Sequence, residues 1–110
     1  MRQTMSSMSC SRNDVVLLPI PFTDLTSRKV RPAVVVGRNG GDLFLVPVSS
    51  VLANTDFPLK DWRVAGLNVP CGIKAQLATV EERLAVKSVG ALSAADRQAL
   101  NERLRIWLQL

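Results

Sequence analysis

The sequence contains no histidine and no tyrosine among its 110 residues. Histidine is the side chain that most often moves protons near neutral pH, and its imidazole is a common zinc ligand. Its absence excludes general acid–base chemistry by histidine, serine-type triads that contain histidine, and zinc sites that require imidazole. Any catalysis by this chain must therefore use other functional groups.

Cysteine and long apolar runs are scarce as well. Cys10 and Cys71 are the only cysteines, and without a CxxC pair they predict reduced thiols in a cytoplasmic protein and no structural metal site. No apolar run approaches the roughly 18 residues that a membrane span needs. Residues 1–12 also lack the apolar stretch of a signal peptide, and we interpret them as a flexible leader.

The composition that remains is typical of a small globular domain. Apolar residues make up 47% of the chain and charged residues 21%, which is enough for one modest core. We therefore expect a single folded domain over residues 13–110. Lysine and arginine number 14 against 9 acidic residues, and the resulting net charge of +5 favours a polyanion or an anionic surface as the partner.

Short apolar runs of strand length alternate with turn signals along most of the chain. Asn39-Gly40-Gly41-Asp42 predicts a hairpin turn, because Asn and Gly tolerate positive φ. Residues 71–80 alternate partly between apolar and polar side chains, which indicates a strand with one buried face. The predicted strands are 14–20, 31–36, 43–48, 71–80 and 84–89, and residues 62–69 are expected to hold a short strand or a turn.

Residues 93–108 are predicted to form one amphipathic C-terminal helix. Ser93 and Asp96 have the spacing of an N-cap box, with a carboxylate near the positive helix end. Leu100, Leu104, Trp107 and Leu108 recur at a spacing that places them on one helical face, packed on the core. Several strands followed by one helix predict a mainly β fold, a small antiparallel barrel or curled sheet covered by that helix. A dimer partner is a common way to cover the exposed edges of such a sheet.

The loop over residues 22–31 is the densest basic feature. Arg28, Lys29 and Arg31 lie close together in it, and the planar guanidinium of arginine can donate two parallel hydrogen bonds to a phosphate. This loop is either a phosphate-binding edge or an ordinary solvent-exposed charge run.

Three polar residues follow or interrupt predicted strands. Ser49 and Ser50 come directly after a strand, where hydroxyls either donate to a phosphate oxygen or form an ordinary turn. Gln76, in the middle of the strand predicted at 71–80, is either a ligand-binding amide or a surface residue. The acidic residues form no tight cluster, so the sequence does not support paired-carboxylate catalysis or metal-assisted hydrolysis.

The segment DVVLLPIPFTDLTSRKVRPAVVV resembles the opening of MazF/PemK-type toxins, the ribonuclease components of bacterial toxin–antitoxin pairs. LFLVPVSS looks like the third strand of that family, which ends in Thr or Ser. DWRVAGLNVPCGIKAQLATV and VKSVGALSAADRQALNERLRIWL look like its later strands and its closing turn and helix. The similarity runs over residues 13–108, and the ordered set of segments is more specific than any one of them.

The resemblance implies an SH3-like antiparallel barrel with a C-terminal helix, working as a homodimer. It implies cleavage of single-stranded RNA at short sequences without a metal or cofactor, by attack of the neighbouring 2′-hydroxyl. The products would be a 2′,3′-cyclic phosphate and a 5′-hydroxyl. A cognate antitoxin with an acidic, disordered tail is expected to bind the basic groove of the dimer.

The catalytic arginine of the family, in its Arg-Pro dipeptide, falls on Arg31, and its catalytic Thr or Ser falls on Ser49. The loop that contacts the substrate falls on residues 23–30, and the glutamine late in the sheet falls on Gln76. Together with Ser50, beside the catalytic hydroxyl, the predicted substrate-binding residues are Thr23, Asp24, Ser27, Arg28, Lys29, Ser50 and Gln76.

The chain departs from the family pattern at four positions. Asn13 stands where the family has a glycine, and because Asn tolerates left-handed φ the turn can be kept. Ser49 stands where many members have Thr, and it keeps the hydroxyl. Cys71 stands where Ser is frequent in the family. Ala75 stands where a polar or acidic residue is common, and this difference bears on which RNA bases are recognised.

Two other functions stay open at this point. Gyrase inhibitors of the CcdB type share the fold and act through the end of the C-terminal helix, where this chain reads RIWLQL. The Arg-Pro-Ala motif and the basic loop favour the ribonuclease. A catalytically inactive relative that only binds an antitoxin or nucleic acid is the other alternative.

Overall fold

The computed structural model describes residues 9–20 and 29–110, and every structural statement below refers to these two ranges. They contain seven strands, one α-helix and two single-turn 3₁₀ helices, at Leu52–Asn54 and Glu82–Leu84. The strands are β1 (Asp14–Pro19), β2 (Val30–Asn39), β3 (Asp42–Ser49), β4 (Phe57–Pro58), β5 (Gly72–Ile73), β6 (Ala78–Glu81) and β7 (Lys87–Ala91), and helix α1 covers Ala94–Leu108.

The strands form one antiparallel sheet with the hydrogen-bonded order β4-β5-β3-β2-β1-β7. Strand β3 has two neighbours along one edge, since β6 pairs with Asp42–Leu45 and β5 pairs with Val48 and Ser49. Over the described ranges the end strands β4 and β7 do not pair with each other, so the sheet stays open. This architecture confirms the predicted mainly β, antiparallel fold with a C-terminal helix.

The first half of the sheet follows the sequence prediction closely. Strands β1, β2 and β3 lie where the apolar runs predict them, and the turn residue Gly40 has a φ of +59°. Strand β2 runs past Gly37 to Asn39, with a register shift between Val35 and Gly37. The strand predicted at 31–36 therefore continues three residues further, through a bulge at Val36.

The prediction of one continuous strand over 71–80 is wrong, because the chain forms two strands there, β5 and β6, with a break between them. The N–H of Lys74 donates to the carbonyl of Pro47 at 3.0 Å. Proline has no N–H to return, so the β3–β5 ladder stops at Pro47. Pairing resumes with Ala78 opposite Leu45 in a register shifted by the intervening residues. The strand predicted at 84–89 lies later in the chain than expected. Glu82–Leu84 forms a 3₁₀ turn, and β7 covers Lys87–Ala91.

Alternating side chains of β1, β2 and β3 fill two apolar cores, one on each face of the sheet. Val15, Val34 and Val46 belong to the core on which α1 packs through Leu100 and Leu104. The core on the opposite face is made of Cys10, Val16, Leu18, Ile20, Ala33, Val35, Leu43, Leu45 and Val80. With both faces covered, the β2–β3 hairpin is held rigidly from two sides.

Helix α1 begins as predicted, with Ser93 as its N-cap and the Ser93 hydroxyl accepting from the Asp96 N–H at 3.2 Å. The Asp96 carboxylate is 2% exposed and accepts from the N–H groups of Lys60 and Asp61, each at 2.8 Å. These bonds tie the segment that leads into residues 62–69 to the helix. No helix of the described chain has the length and apolarity to cross a membrane.

The apolar face of α1 is shorter than its sequence spacing predicts. Leu100 and Leu104 are buried and Trp107 packs half-buried against the same core. Leu108, however, is 45% exposed. The helix therefore ends with an apolar side chain that is exposed to solvent, beyond the buried part of its apolar face.

Of the residues that we interpret as a flexible leader, residues 9–12 lie in the described structure. Cys10 is 2% exposed, and its N–H donates to Glu82 Oε2 at 2.9 Å. The Arg38 guanidinium donates to the Cys10 carbonyl and to both oxygens of Glu82. Arg38 and the Cys10 N–H hold the pKa of Glu82 below its usual range. The apolar core thus begins at Cys10, before residue 13.

Asn13 adopts the left-handed conformation expected for a residue in place of glycine, with φ +77°. Its N–H donates to the Val35 carbonyl at 2.7 Å and its carbonyl accepts from the Leu92 N–H at 3.0 Å. The side-chain Oδ1 is buried and has no hydrogen-bond partner in the described chain. The position therefore carries both backbone strain and an unsatisfied acceptor.

Asn13→Gly is expected to raise the free energy of unfolding by about 1 kcal/mol. Glycine removes the strain and the unpartnered oxygen, and this gain exceeds the entropy that it adds to the unfolded chain. Chemical denaturation measures the change. Gln109→Gly, at the other left-handed non-glycine position with φ +56°, is the matched control. An equal gain in both variants would show that the buried oxygen contributes nothing, and a loss in Asn13→Gly would contradict the prediction.

Candidate active site

The open end of the β2–β3 hairpin brings the start of β2 beside the end of β3. Ala33 pairs with Pro47, so the same register places Arg31 opposite Ser49. Both residues line one groove with a volume of about 540 Å³. They meet because the hairpin turn sets the register of the two strands.

Ser49 is held at the end of β3 by bonds that leave its hydroxyl hydrogen available. Its Oγ accepts from the Val51 N–H at 3.1 Å, so the O–H remains able to donate to a ligand. On the other side of the strand, Ser49 pairs with Gly72 of β5. A Cβ on Gly72 would lie 2.5 Å from Thr55 Oγ1 and 2.7 Å from the Phe57 carbonyl oxygen, so only glycine allows β5 to approach residues 55–57 this closely.

Lys74 lines the same groove, although no motif in the sequence singles it out. Its backbone N–H bond to Pro47 places it just past the point where Ser49 pairs with Gly72. Because side chains two positions apart share a face, Lys74 lies on the face that carries Ser49. The only sequence pattern that bears on Lys74 is the partial alternation of apolar and polar residues over 71–80. Alternation shows which residues share a face of a strand, but without the strand register it does not show which face lines the groove.

The groove is cationic. Arg31 and Lys74 line it together with the hydroxyls of Ser49 and Ser50, and its described lining contains no Asp or Glu. Within residues 9–20 and 29–110, neither the Arg31 guanidinium nor the Lys74 ammonium has an ion-pair or hydrogen-bond partner, and the ion pairs are those of Arg38, Arg83 and Arg103. Unpaired cations beside free hydroxyls form a site suited to a phosphate group.

One rim of the groove is the turn over residues 65–69, which packs against β7 by direct backbone contact. Gly66 has a φ of +86°, and a Cβ there would lie 2.1 Å from the Val89 carbonyl oxygen. A Cβ on Gly90 would likewise lie 2.6 Å from the Ala65 carbonyl. Both glycines are required for this contact, so the rim is a fixed part of the fold.

Cys71 forms part of the groove wall and is 5% exposed. Its Sγ donates to the Val69 carbonyl at 3.2 Å. Burial raises the pKa of the Cys71 thiol, which keeps it protonated and unreactive near neutral pH. Cys71 therefore shapes the groove and is no candidate nucleophile.

The remaining predicted site residues fall into three groups. Ser50 lines the groove beside Ser49. Lys29 and Gln76 are exposed and are not among the lining residues, and Gln76 lies in the break between β5 and β6 and not in mid-strand as its pattern predicts. Thr23, Asp24, Ser27 and Arg28 lie outside the described residues.

A second groove, of about 690 Å³, lies between the end of α1 and the sheet face on which the helix packs. Its lining is largely apolar, with Phe44, Leu77, Leu104 and Leu108 among its residues. It contains no hydroxyl group among its described lining residues. The first groove is therefore the candidate active site.

Comparisons with known proteins agree with this fold. Residues 11–108 match the family model described as PemK-like, MazF-like toxin of type II toxin–antitoxin systems. An endoribonuclease from a Mycobacterial species, solved in complex with its cognate antitoxin, is similar with a TM-score of 0.71 and 14% identity, covering 93% of this chain and 97% of that one. The Mycobacterium tuberculosis toxin MazF-mt6 is similar with a TM-score of 0.66 and 18% identity, covering 88% and 97%.

No curated protein sequence matches the chain. At 14% and 18% identity, the solved structures establish the fold alone. The family model covers nearly the whole chain. The chain belongs to the PemK-like, MazF-like toxin family of type II toxin–antitoxin systems.

Proposed function

We propose that this chain is a metal-independent, sequence-specific endoribonuclease that cuts single-stranded RNA in the cytoplasm. The observation that carries the proposal is the placement of Arg31 and Ser49, which come from opposite strands of one hairpin and line one groove. Guanidinium and hydroxyl groups are the donors that suit phosphate oxygens. Membership of the toxin family adds the biological setting.

The proposed reaction forms one bond and breaks one bond at phosphorus. The 2′-oxygen gives up its proton and attacks the adjacent phosphorus, and the P–O5′ bond breaks as the 5′-oxygen takes up a proton. The products are a 2′,3′-cyclic phosphate and a 5′-hydroxyl. Negative charge builds up on the phosphate oxygens during the attack, and Arg31 with the Ser49 hydroxyl stabilises it where it develops.

The same proposal includes two protein partners. A homodimer would cover edges of the open sheet, whose end strands are β4 and β7, as edge strands require. A cognate antitoxin with an acidic tail would bind the groove, because Arg31 and Lys74 lack partners in the described chain and the chain has a net charge of +5. The similar Mycobacterial endoribonuclease was itself solved with its cognate antitoxin.

Incubation of the purified chain with mixed-sequence single-stranded RNA in EDTA tests the reaction. We expect discrete fragments with 2′,3′-cyclic phosphate and 5′-hydroxyl ends, formed at a rate that added Mg²⁺ does not change. Mapping the ends also reads out the recognition sequence. Loss of cutting in EDTA, or fragments with 5′-phosphate ends, would contradict the mechanism.

One observation favours the gyrase inhibitor as a second candidate. Ile106 is 66% exposed and Leu110 is 77% exposed, so the end of α1 presents apolar side chains to solvent. A supercoiling assay separates the two functions. Inhibition of gyrase by this chain while RNA in the same mixture stays intact would reverse the assignment.

A further inference from the structure

Lys74 is the second cation of the candidate active site. We propose that its ammonium binds the phosphate next to the one that reacts at Arg31 and Ser49, and so sets how tightly the RNA strand is held. The inference rests on the proposed function, and it assigns a separate task to a residue outside the reacting pair.

The sheet places the two cations on opposite sides of Ser49. Arg31 lies across one edge of β3 from Ser49, and Lys74 follows β5 across the other edge. With about 4.8 Å between neighbouring strands, the two backbones are about 10 Å apart. A phosphate held by Arg31 and Ser49 therefore has Lys74 on its far side, where an adjoining phosphate of the strand would lie.

No other side chain of β5 stands between Lys74 and Ser49. The residue paired with Ser49 is Gly72, which has no side chain, and Lys74 is the next residue on that face. Diagonal neighbours on one face of a sheet are about 7–8 Å apart, which long side chains can span. The Lys74 backbone is also fixed by its bond to the Pro47 carbonyl at 3.0 Å.

The chemistry of the two cations suits different tasks. Arginine offers a planar fork that fits the geometry of a reacting phosphate, whereas lysine is a flexible point charge with three donors. A contact to a phosphate that does not react is equally strong in the ground state and in the transition state. Its loss therefore raises KM and leaves kcat unchanged.

Lys74→Gln is compared with the parent, with Lys74→Arg, which keeps the charge, and with Lys60→Gln. Lys60 is exposed and is not among the residues that line the groove. Cleavage kinetics of a fluorescent RNA give kcat and KM. Binding of a mixed-sequence 2′-O-methyl oligonucleotide, which lacks the attacking hydroxyl, is titrated over a salt series.

We expect Lys74→Gln to raise KM and the dissociation constant about tenfold, the loss of one charge-assisted contact. The slope of log affinity against log salt should fall by about 0.7, the value for one phosphate of a single strand. Lys74→Arg should keep the slope, and Lys60→Gln should match the parent. A lower kcat with unchanged binding, an unchanged slope, or an equal loss in Lys60→Gln would overturn the proposal.

The two proposals fail separately in this design. A parent chain that binds the 2′-O-methyl oligonucleotide but does not cut RNA defeats the ribonuclease function, while the salt slope of Lys74→Gln still decides the role of Lys74. A parent that neither cuts nor binds defeats both. If Lys74→Gln weakens only the binding of an acidic peptide and leaves oligonucleotide binding unchanged, Lys74 serves a protein partner and this proposal is overturned.

Discussion

Arg31→Ala is expected to lower the rate of RNA cleavage by roughly 100- to 1000-fold, the cost of removing one preorganised donor from a developing oxyanion. The guanidinium lines the groove with Ser49 and has no partner in the described chain that would hold it away from a ligand. Single-turnover cleavage of a fluorescent RNA in EDTA measures the change without interference from product release.

Matched variants separate the charge of Arg31 from its geometry. Arg31→Lys keeps the charge but loses the planar fork, so we expect an intermediate rate. Arg83→Ala is the control, because Arg83 is 73% exposed and pairs with Glu81 away from the groove. A variant without Arg31 that cuts as fast as the parent would remove this residue from the mechanism.

Ser49→Ala tests the other half of the reacting pair. The double variant Arg31→Ala/Ser49→Ala should lose less than the product of the two single losses, because groups that act on one transition state are not additive. Fully multiplicative losses would indicate that the two residues stabilise the transition state independently of each other.

Gly66→Ala is expected to lower the free energy of unfolding by about 3 kcal/mol or more. Alanine at a φ of +86° is strained, and its Cβ would lie 2.1 Å from the Val89 carbonyl oxygen, so the turn and β7 must separate. For a domain of this size such a loss lowers Tm by about 10 °C or more. Thermal and chemical denaturation measure the effect.

Two other glycines provide the controls for Gly66→Ala. Gly40 has a positive φ of +59° but no atom within 4 Å of an added Cβ, so Gly40→Ala measures backbone strain without a collision. Gly41 has neither constraint, and Gly41→Ala should match the parent closely. If Gly66→Ala were no worse than Gly40→Ala, the contact with β7 would not be a source of stability.

The structural elements that could be predicted from the sequence are those that depend on residues close together in the chain. The hairpin turn at 39–42 and the N-cap at Ser93 depend on backbone preferences within a few residues, and both appear as predicted. Strands β1 to β3 follow from runs of apolar residues for the same reason. The resemblance singled out Arg31 and Ser49, and the hairpin register explains how these two residues reach one groove.

Predictions failed where the outcome depends on a distant partner strand. The alternation of 71–80 is real, but Pro47 on β3 ends the pairing there and breaks the strand in two. Gln76 consequently lies exposed in the break, apart from the lining of the groove. Leu108 fits the helical spacing but is 45% exposed, because the burial of a helix position depends on which distant residues pack over it.

By itself the sequence determined the mainly β class with a C-terminal helix, the cationic character, and the exclusion of histidine chemistry. The tertiary structure alone decided that Lys74 joins Arg31 and Ser49 and that Gly66 and Gly90 allow the rim to contact β7. Local patterns determine local elements because turn, cap and strand preferences act over a few residues. The composition of the groove depends on strand registers and backbone contacts between segments far apart in the chain, which no local pattern encodes.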